Sequence, residues 1–265
     1  MSGGAGADEA LHSLLAGAEA RLPLLTLAPA FLPAPERLLL LAWAGLLGEC
    51  ESALFESSDP RVRALRCGWW AEELAALPAG QPRHPLGRVL ATPALPWAAF
   101  AQALLELAED DAPAASAAAA EAALRPLASA VARIDAALAG STDPGAADRF
   151  VLHWQGLALG RGTAGAAGVP LALWARHGRR PADAATAPGV YRDWAGQLRA
   201  RIAPPRRGES LLARLLAEDD RRRLAAWAAG RPAHPPPPRW RRPFAFWRCA
   251  RDAALHYRIP PAATT

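Results

Sequence analysis

Residues 157–178 read LALGRGTAGAAGVPLALWARHG. GRGTAG, with glycines at Gly160, Gly162 and Gly165, has the G-x-G-x-x-G spacing of a dinucleotide-binding loop. Whether it is one decides the fold. That loop works between a strand and a helix, with an acidic residue about twenty positions on to hold a ribose. Asp183 stands at a fitting distance. The flanks, however, have helical spacing, and Pro170 leaves little room for a helix after Gly165. No strand–helix alternation exists to build a parallel sheet. A P-loop is excluded because it needs a Gly-Lys pair, and the chain has no lysine. The stretch is therefore expected to be a glycine-rich loop after a helix that ends near Leu159, not a nucleotide site, and the fold all-α.

Composition agrees. The chain has 265 residues, of which 52% are hydrophobic, enough to bury a sizeable core. Alanine and leucine dominate and β-branched residues are few, which favours helices. All 30 basic residues are arginine, and the formal net charge is +5. The charge is uneven. Arg206, Arg207, Arg221, Arg222, Arg223, Arg239, Arg241 and Arg242 crowd the C-terminal third. Such a region suits an anionic membrane, nucleic acid or diphosphates, or else forms a solvated face. Cys50, Cys67 and Cys249 lie far apart with no C-x-x-C, so neither a zinc ribbon nor a redox pair is signalled. The acidic start (Asp8, Glu9) does not resemble a signal peptide, and the apolar run Leu38 to Leu47 is too short to span a bilayer. The expected location is the cytoplasm, with a peripheral place on the inner membrane as its variant.

Along the chain, residues 1–34 read as a flexible segment and a short helix over Leu11 to Leu25, with the proline-punctuated stretch Pro23 to Pro35 following as a loop, and residues 35–258 as one helical domain. Helices are expected over Glu36 to Phe55, from Asp59-Pro60 to about Leu77, over His84-Pro85 to Leu90, and over Trp97 to Leu107. Further helices are expected within residues 113–139, from Asp143-Pro144 to Leu159, over Pro188 to Ile202, over Glu209 to Ala229, and over Pro243 to Tyr257. Asp59 before Pro60 is a helix-start signal. Val62, Leu65, Trp69, Leu74 and Leu77 make an apolar stripe, with Arg61, Arg63, Glu72 and Glu73 turned elsewhere. Leu124, Leu127, Val131, Ile134 and Leu138 make a second stripe. His84 is expected to shape a turn, His153 to be a core or rim histidine, and Cys67 a small buried hydrophobe. Pro232 to Pro238 reads as a loop. Trp240, Phe244, Phe246 and Trp247 are expected to pack on the bundle with arginine stems reaching outward.

Residues 59–90, DPRVRALRCGWWAEELAALPAGQPRHPLGRVL, carry a helix, paired aromatics, Glu-Glu-Leu, a glycine turn and His-Pro before another helix. In this the chain resembles the squalene/phytoene synthase family. Phe100 to Asp111, Val169 to Gly178 and residues 206–229 resemble further family segments in the same order, so the likeness spans roughly residues 35–250. It implies an all-α, single-domain bundle of the isoprenoid-synthase type around a deep cavity. Active members condense two prenyl diphosphates head to head, with facing Asp-rich helices holding Mg²⁺. Magnesium wants hard oxygen ligands, and carboxylates at i and i+4 share a helix face.

This chain departs from that pattern. Near residues 46–56 the first motif has Glu49, Glu51 and Glu56, none of them four apart. The second, near residues 152–168, has no carboxylate, and none occurs from Val151 to Ala182. Glu49 and Glu51 are the candidate residual acidic site. Trp43, Phe55, Trp69 and Trp70 are candidates to line a cavity for an isoprenoid or another apolar ligand. The reading that follows is a non-catalytic scaffold, assembly factor or isoprenoid-binding protein with a protein partner and no cofactor. The alternative is an active prenyltransferase using Mg²⁺, with Glu49, Glu51, Glu72, Glu73, Asp110 and Asp111 as acidic candidates. A second alternative is an Arg-rich module for a membrane surface or nucleic acid, of which nucleic acid is the less favoured.

Overall fold

A computed structural model describes residues 3–57, 59–161, 167–231 and 237–260. Gly162 and Gly165 of the glycine-rich motif, Ser58, and Pro235 and Pro236 of the proline-rich loop lie outside the described residues. Among the described residues there is no strand, only an isolated bridge between Ser210 and Ala254. The order is α1 (Gly3–Arg21), α2 (Ala34–Phe55), α3 (Pro60–Ala76), α4 (Pro85–Leu90), α5 (Trp97–Glu109) and α6 (Ala117–Ala139). It continues with α7 (Ala146–Arg161), α8 (Leu171–Arg176), α9 (Pro188–Arg201), α10 (Leu211–Ala228) and α11 (Arg242–Ala250). The all-α, single-domain class is observed. Gly160 lies inside α7 with helix, not strand, before it, so the dinucleotide context is absent.

The main core joins α2 to its neighbours. Trp43 is fully buried, edge-on to Trp97 and Phe100 at centroid distances of 6.2 and 6.3 Å. The stripe on α6 is buried throughout, as its spacing requires. A second core, holding Trp174, Trp194 and Leu198, fills the space between α7, α8, α9 and α10. α2 as a whole is long and apolar enough to cross a membrane, which the shorter run Leu38 to Leu47 does not reveal; yet 72% of its apolar window is buried inside the bundle.

Four expectations differ from the structure. First, α1 starts at Gly3, and residues 23–30 form a 3-10 helix instead of a loop. Ala18, Leu24, Leu25 and Ala28 there belong to the main core. Second, the buried face of α3 is Arg63, Cys67, Trp70, Ala71, Glu73 and Leu74, while Val62 and Leu65 face solvent. Two polar residues are drawn in because each ties the chain elsewhere. Arg63 Nε donates to the Ala108 carbonyl, and its guanidinium pairs with Asp111. Glu73 accepts from the His84 backbone N–H at 2.7 Å. Third, α7 begins at Ala146, because Asp143 accepts from Gly145 N–H in a local turn. Fourth, the last helix stops at Ala250, ahead of Asp252 with φ +65°, and Tyr257 folds back into the core.

The quoted 59–90 segment becomes one corner. Asp59 accepts from Arg61 N–H and caps α3. His84 Nδ1 accepts from Leu86 N–H and caps α4, and Trp70 packs edge-on to His84 at 4.9 Å. Glu73, one of the acidic candidates, is spent holding this turn, and exposed Glu72 pairs with Arg83.

Asp135 is buried in the main core. It accepts from Trp43 Nε1 at 3.0 Å and from the Ser210 hydroxyl. Burial pushes its carboxyl up to about 6, against those two hydrogen bonds and with help from the nearby Glu209 charge. A raised carboxyl favours the neutral form when folded, so its contribution to stability shrinks as pH rises from 3.8 through about 6. Asp135→Asn keeps a neutral acceptor for Trp43 and a donor for Ser210. The variant is expected to match or exceed the wild type above pH 6 and to lose that slope. Asp135→Ala should instead lose about 1–3 kcal/mol by orphaning the Trp43 N–H. Urea midpoints across this pH range check both.

Candidate functional site

A cavity of about 220 Å³ lies between the end of α1 and helices α2, α7 and α10. Its walls are apolar where Leu22, Leu47, Leu157, Leu212 and Leu216 meet. Its polar lining is Arg21, Glu51, His153, Arg161, Asp219 and Arg223. These elements converge because α2 and α7 are both core helices and α10 packs against α7.

The polar lining is organised around His153, which is buried on α7. Its Nδ1 lies 3.0 Å from both oxygens of Asp220 on α10. Its Nε2 lies 3.1 Å from Glu51 Oε1 on α2, an ion pair without good hydrogen-bond alignment. Burial opposes a charged ring, but the carboxylates of Asp220 and Glu51 outweigh it and push the imidazolium up to about 10. His153 is therefore a cation at neutral pH. Burial likewise opposes the Glu51 charge; His153, a hydrogen bond from Trp154 Nε1 at 2.9 Å, and Arg161 hold its carboxyl below the usual range.

Every carboxylate around the cavity has a protein cation. Arg223 donates to Asp220 at 3.1 Å and to Asp219 at 2.7 Å. Arg21 pairs with Glu49 at 2.6 Å, and Arg161 with Glu56 at 2.9 Å. These residues do not fit a magnesium cluster. Their oxygens turn toward guanidinium and imidazolium groups, and both nitrogens of His153 face carboxylates. Among the described residues no group of three His, Cys, Asp or Glu side chains converges on a metal position.

Of the sequence candidates, Glu51 lines the cavity and Glu49 sits at its edge through Arg21. Trp43, Phe55, Trp69 and Trp70 do not line it. Trp43 and Phe55 are core residues, Trp70 is packed on His84, and Trp69 is partly exposed beneath Arg83. Asp110 and Asp111 face away, Asp110 capping its own turn and Asp111 pairing with Arg63. Sequence reasoning missed His153 as an organiser, and Asp219 and Asp220 altogether. Their one signal is charge (Glu218 to Arg223) embedded in an otherwise apolar helix. Compared with family models, with characterised proteins and with solved structures, the chain matches none.

Proposed function

We propose that this chain is a divergent squalene/phytoene synthase-like protein that works without catalysis, as a scaffold or assembly factor whose cavity takes a short apolar, isoprenoid-like segment. The observation that carries the reading is that the cavity's carboxylates are already neutralised: Glu51 and Asp219 in its lining face His153 and Arg223, and Glu49 and Glu56 beside it pair with Arg21 and Arg161. A head-to-head condensation needs free oxygen ligands for the metal ions that hold two diphosphates. It also needs room for two substrates at once. About 220 Å³ is below the roughly 300–1,000 Å³ usual for a single drug-sized ligand. An apolar wall ending in a compensated ionic rim suits a hydrocarbon chain better than a diphosphate.

The test has two arms on the purified full chain. Radiolabelled farnesyl and geranylgeranyl diphosphate with Mg²⁺ or Mn²⁺ should give no head-to-head product, and product formation would overturn the reading in favour of a prenyltransferase. Equilibrium dialysis against tritiated farnesol should show binding that Leu157→Trp, which fills the cavity, abolishes. Absence of binding by the wild type would remove the ligand from the proposal.

A further inference from the structure

α11 presents apolar side chains on two sides. Ala245, Phe246, Cys249 and Ala250 face inward, and Phe246 packs on Phe31 at 4.7 Å. The outward side carries Phe244 and Trp247, with Trp240 in the 3-10 turn Arg239–Arg241 just ahead of the helix and Arg251 just after it. Trp240 is 73% exposed, Phe244 62% and Trp247 43%, so three of the four aromatics expected to pack on the bundle do not. Isolated exposed apolar residues are ordinary, but a contiguous aromatic row marks an interaction surface. Beside it opens a groove of about 920 Å³.

The row is framed by cations. Arg241 lies over the Trp240 ring at 4.5 Å, Arg248 over Phe244 at 5.4 Å and Arg251 over Trp247 at 5.3 Å. Glu218 pairs with Arg248, and Asp252 with Arg251. Among the described residues no carboxylate pairs with Arg239, Arg241 or Arg242. The patch is therefore both apolar and positive.

We propose that the α11 face docks on the surface of a bilayer containing anionic phospholipid. Tryptophan and phenylalanine seat at the depth of the headgroup–acyl boundary, and arginines alongside them meet phosphates at the same level. A guanidinium lying over a ring lets cation and aromatic enter together, its stem covering apolar surface. Single-stranded nucleic acid fits less well. It stacks bases on open ring faces, and here each ring has a face already covered by arginine. This inference is independent of the cavity and of its ligand.

The experiment is co-sedimentation of the full chain with vesicles of phosphatidylcholine alone and of phosphatidylcholine mixed with phosphatidylglycerol. Binding is expected to the mixed vesicles only, and to weaken as salt rises. Each of Arg239→Gln and Arg241→Gln should lower partitioning about fivefold. Trp240→Ser/Phe244→Ser/Trp247→Ser should lower it on the order of a hundredfold. All these side chains lie outside the cores, and a circular dichroism spectrum like that of the wild type will show that the fold is kept. Failure of the wild type to bind anionic vesicles overturns the proposal, as does retention of a single-stranded oligonucleotide without vesicle binding. Wild-type partitioning by both the arginine variants and the triple variant overturns the assignment to this face.

Discussion

His153→Ala is expected to lower the stability of the protein by about 3–5 kcal/mol, the loss seen when one partner of a buried ion cluster is removed. Among the described residues the imidazolium is the only cation between Glu51 and Asp220, and it is buried. Without it two carboxylates face each other across a low-dielectric gap, with Arg161 and Arg223 at its edges. The charge effect separates from simple packing loss by a second variant. His153→Leu with Glu51→Gln and Asp220→Asn removes the imidazolium and both carboxylates it bridges at similar volume, while Arg223 keeps Asp219 and Arg161 keeps Glu56, and such replacements are often neutral or stabilising. It should recover most of the loss. The pH profile gives the sign independently. A histidine raised from 6.5 to about 10 on folding contributes fully below pH 6.5, and its contribution is lost as pH rises toward 10. Wild-type denaturation midpoints should fall across that window, and His153→Gln should flatten the fall. An unchanged slope in that variant would show that another group titrates there.

What the sequence discloses depends on how far apart the interacting residues lie. The α6 stripe was legible because helical spacing alone specifies a buried face. The Asp59–Pro60 start and the His84 turn were legible because each cap acts within two residues. The same rule misassigned α3. Its outward Val62 and Leu65 match the apolar period as well as its inward Cys67, Trp70 and Leu74 do. What decides between them is Arg63 reaching Ala108 and Glu73 reaching His84. Those contacts are made only once α5 and the turn are in place. The candidate site was hidden for the same reason. His153 and Asp220 are 67 positions apart, and nothing local to either announces the other. Glu51 was named because the squalene/phytoene synthase resemblance implies an acidic motif near residues 46–56, where Glu49, Glu51 and Glu56 are the acidic residues. Charged residues on α10 read as a solvated face, although Asp219 and Asp220 are buried. α11 failed in the opposite sense: aromatic content suggested packing, and the inner side of the helix holds only Phe246 of the four.

Arg149→Met should cost a comparable amount, about 3–5 kcal/mol, for a reason unrelated to the cavity. Arg149 on α7 is 6% exposed and Glu209 is fully buried. The guanidinium meets both Glu209 oxygens and donates to the carbonyls of Ala203 at 2.6 Å and Pro204 at 2.8 Å. Glu209 also accepts from Arg206 N–H at 3.0 Å, and its carbonyl accepts from Ala254 N–H. One residue thus fastens the link between α9 and α10 to α7, and through Glu209 to the C-terminal segment. Methionine keeps most of the volume, so a cavity is not the main loss. The loss comes from a buried carboxylate without its cation and two carbonyls without their donor. Arg149→Met/Glu209→Gln neutralises the charge yet keeps an acceptor for Arg206, and is expected to recover more than half of the deficit. Hydrogen exchange should show the first turn of α10 and the backbone near Ala254 opening before the rest in Arg149→Met, because those are the segments the pair holds. A loss below about 1 kcal/mol, the range of exposed ion pairs, would mean that water reaches Glu209 and that the link is held by its other contacts.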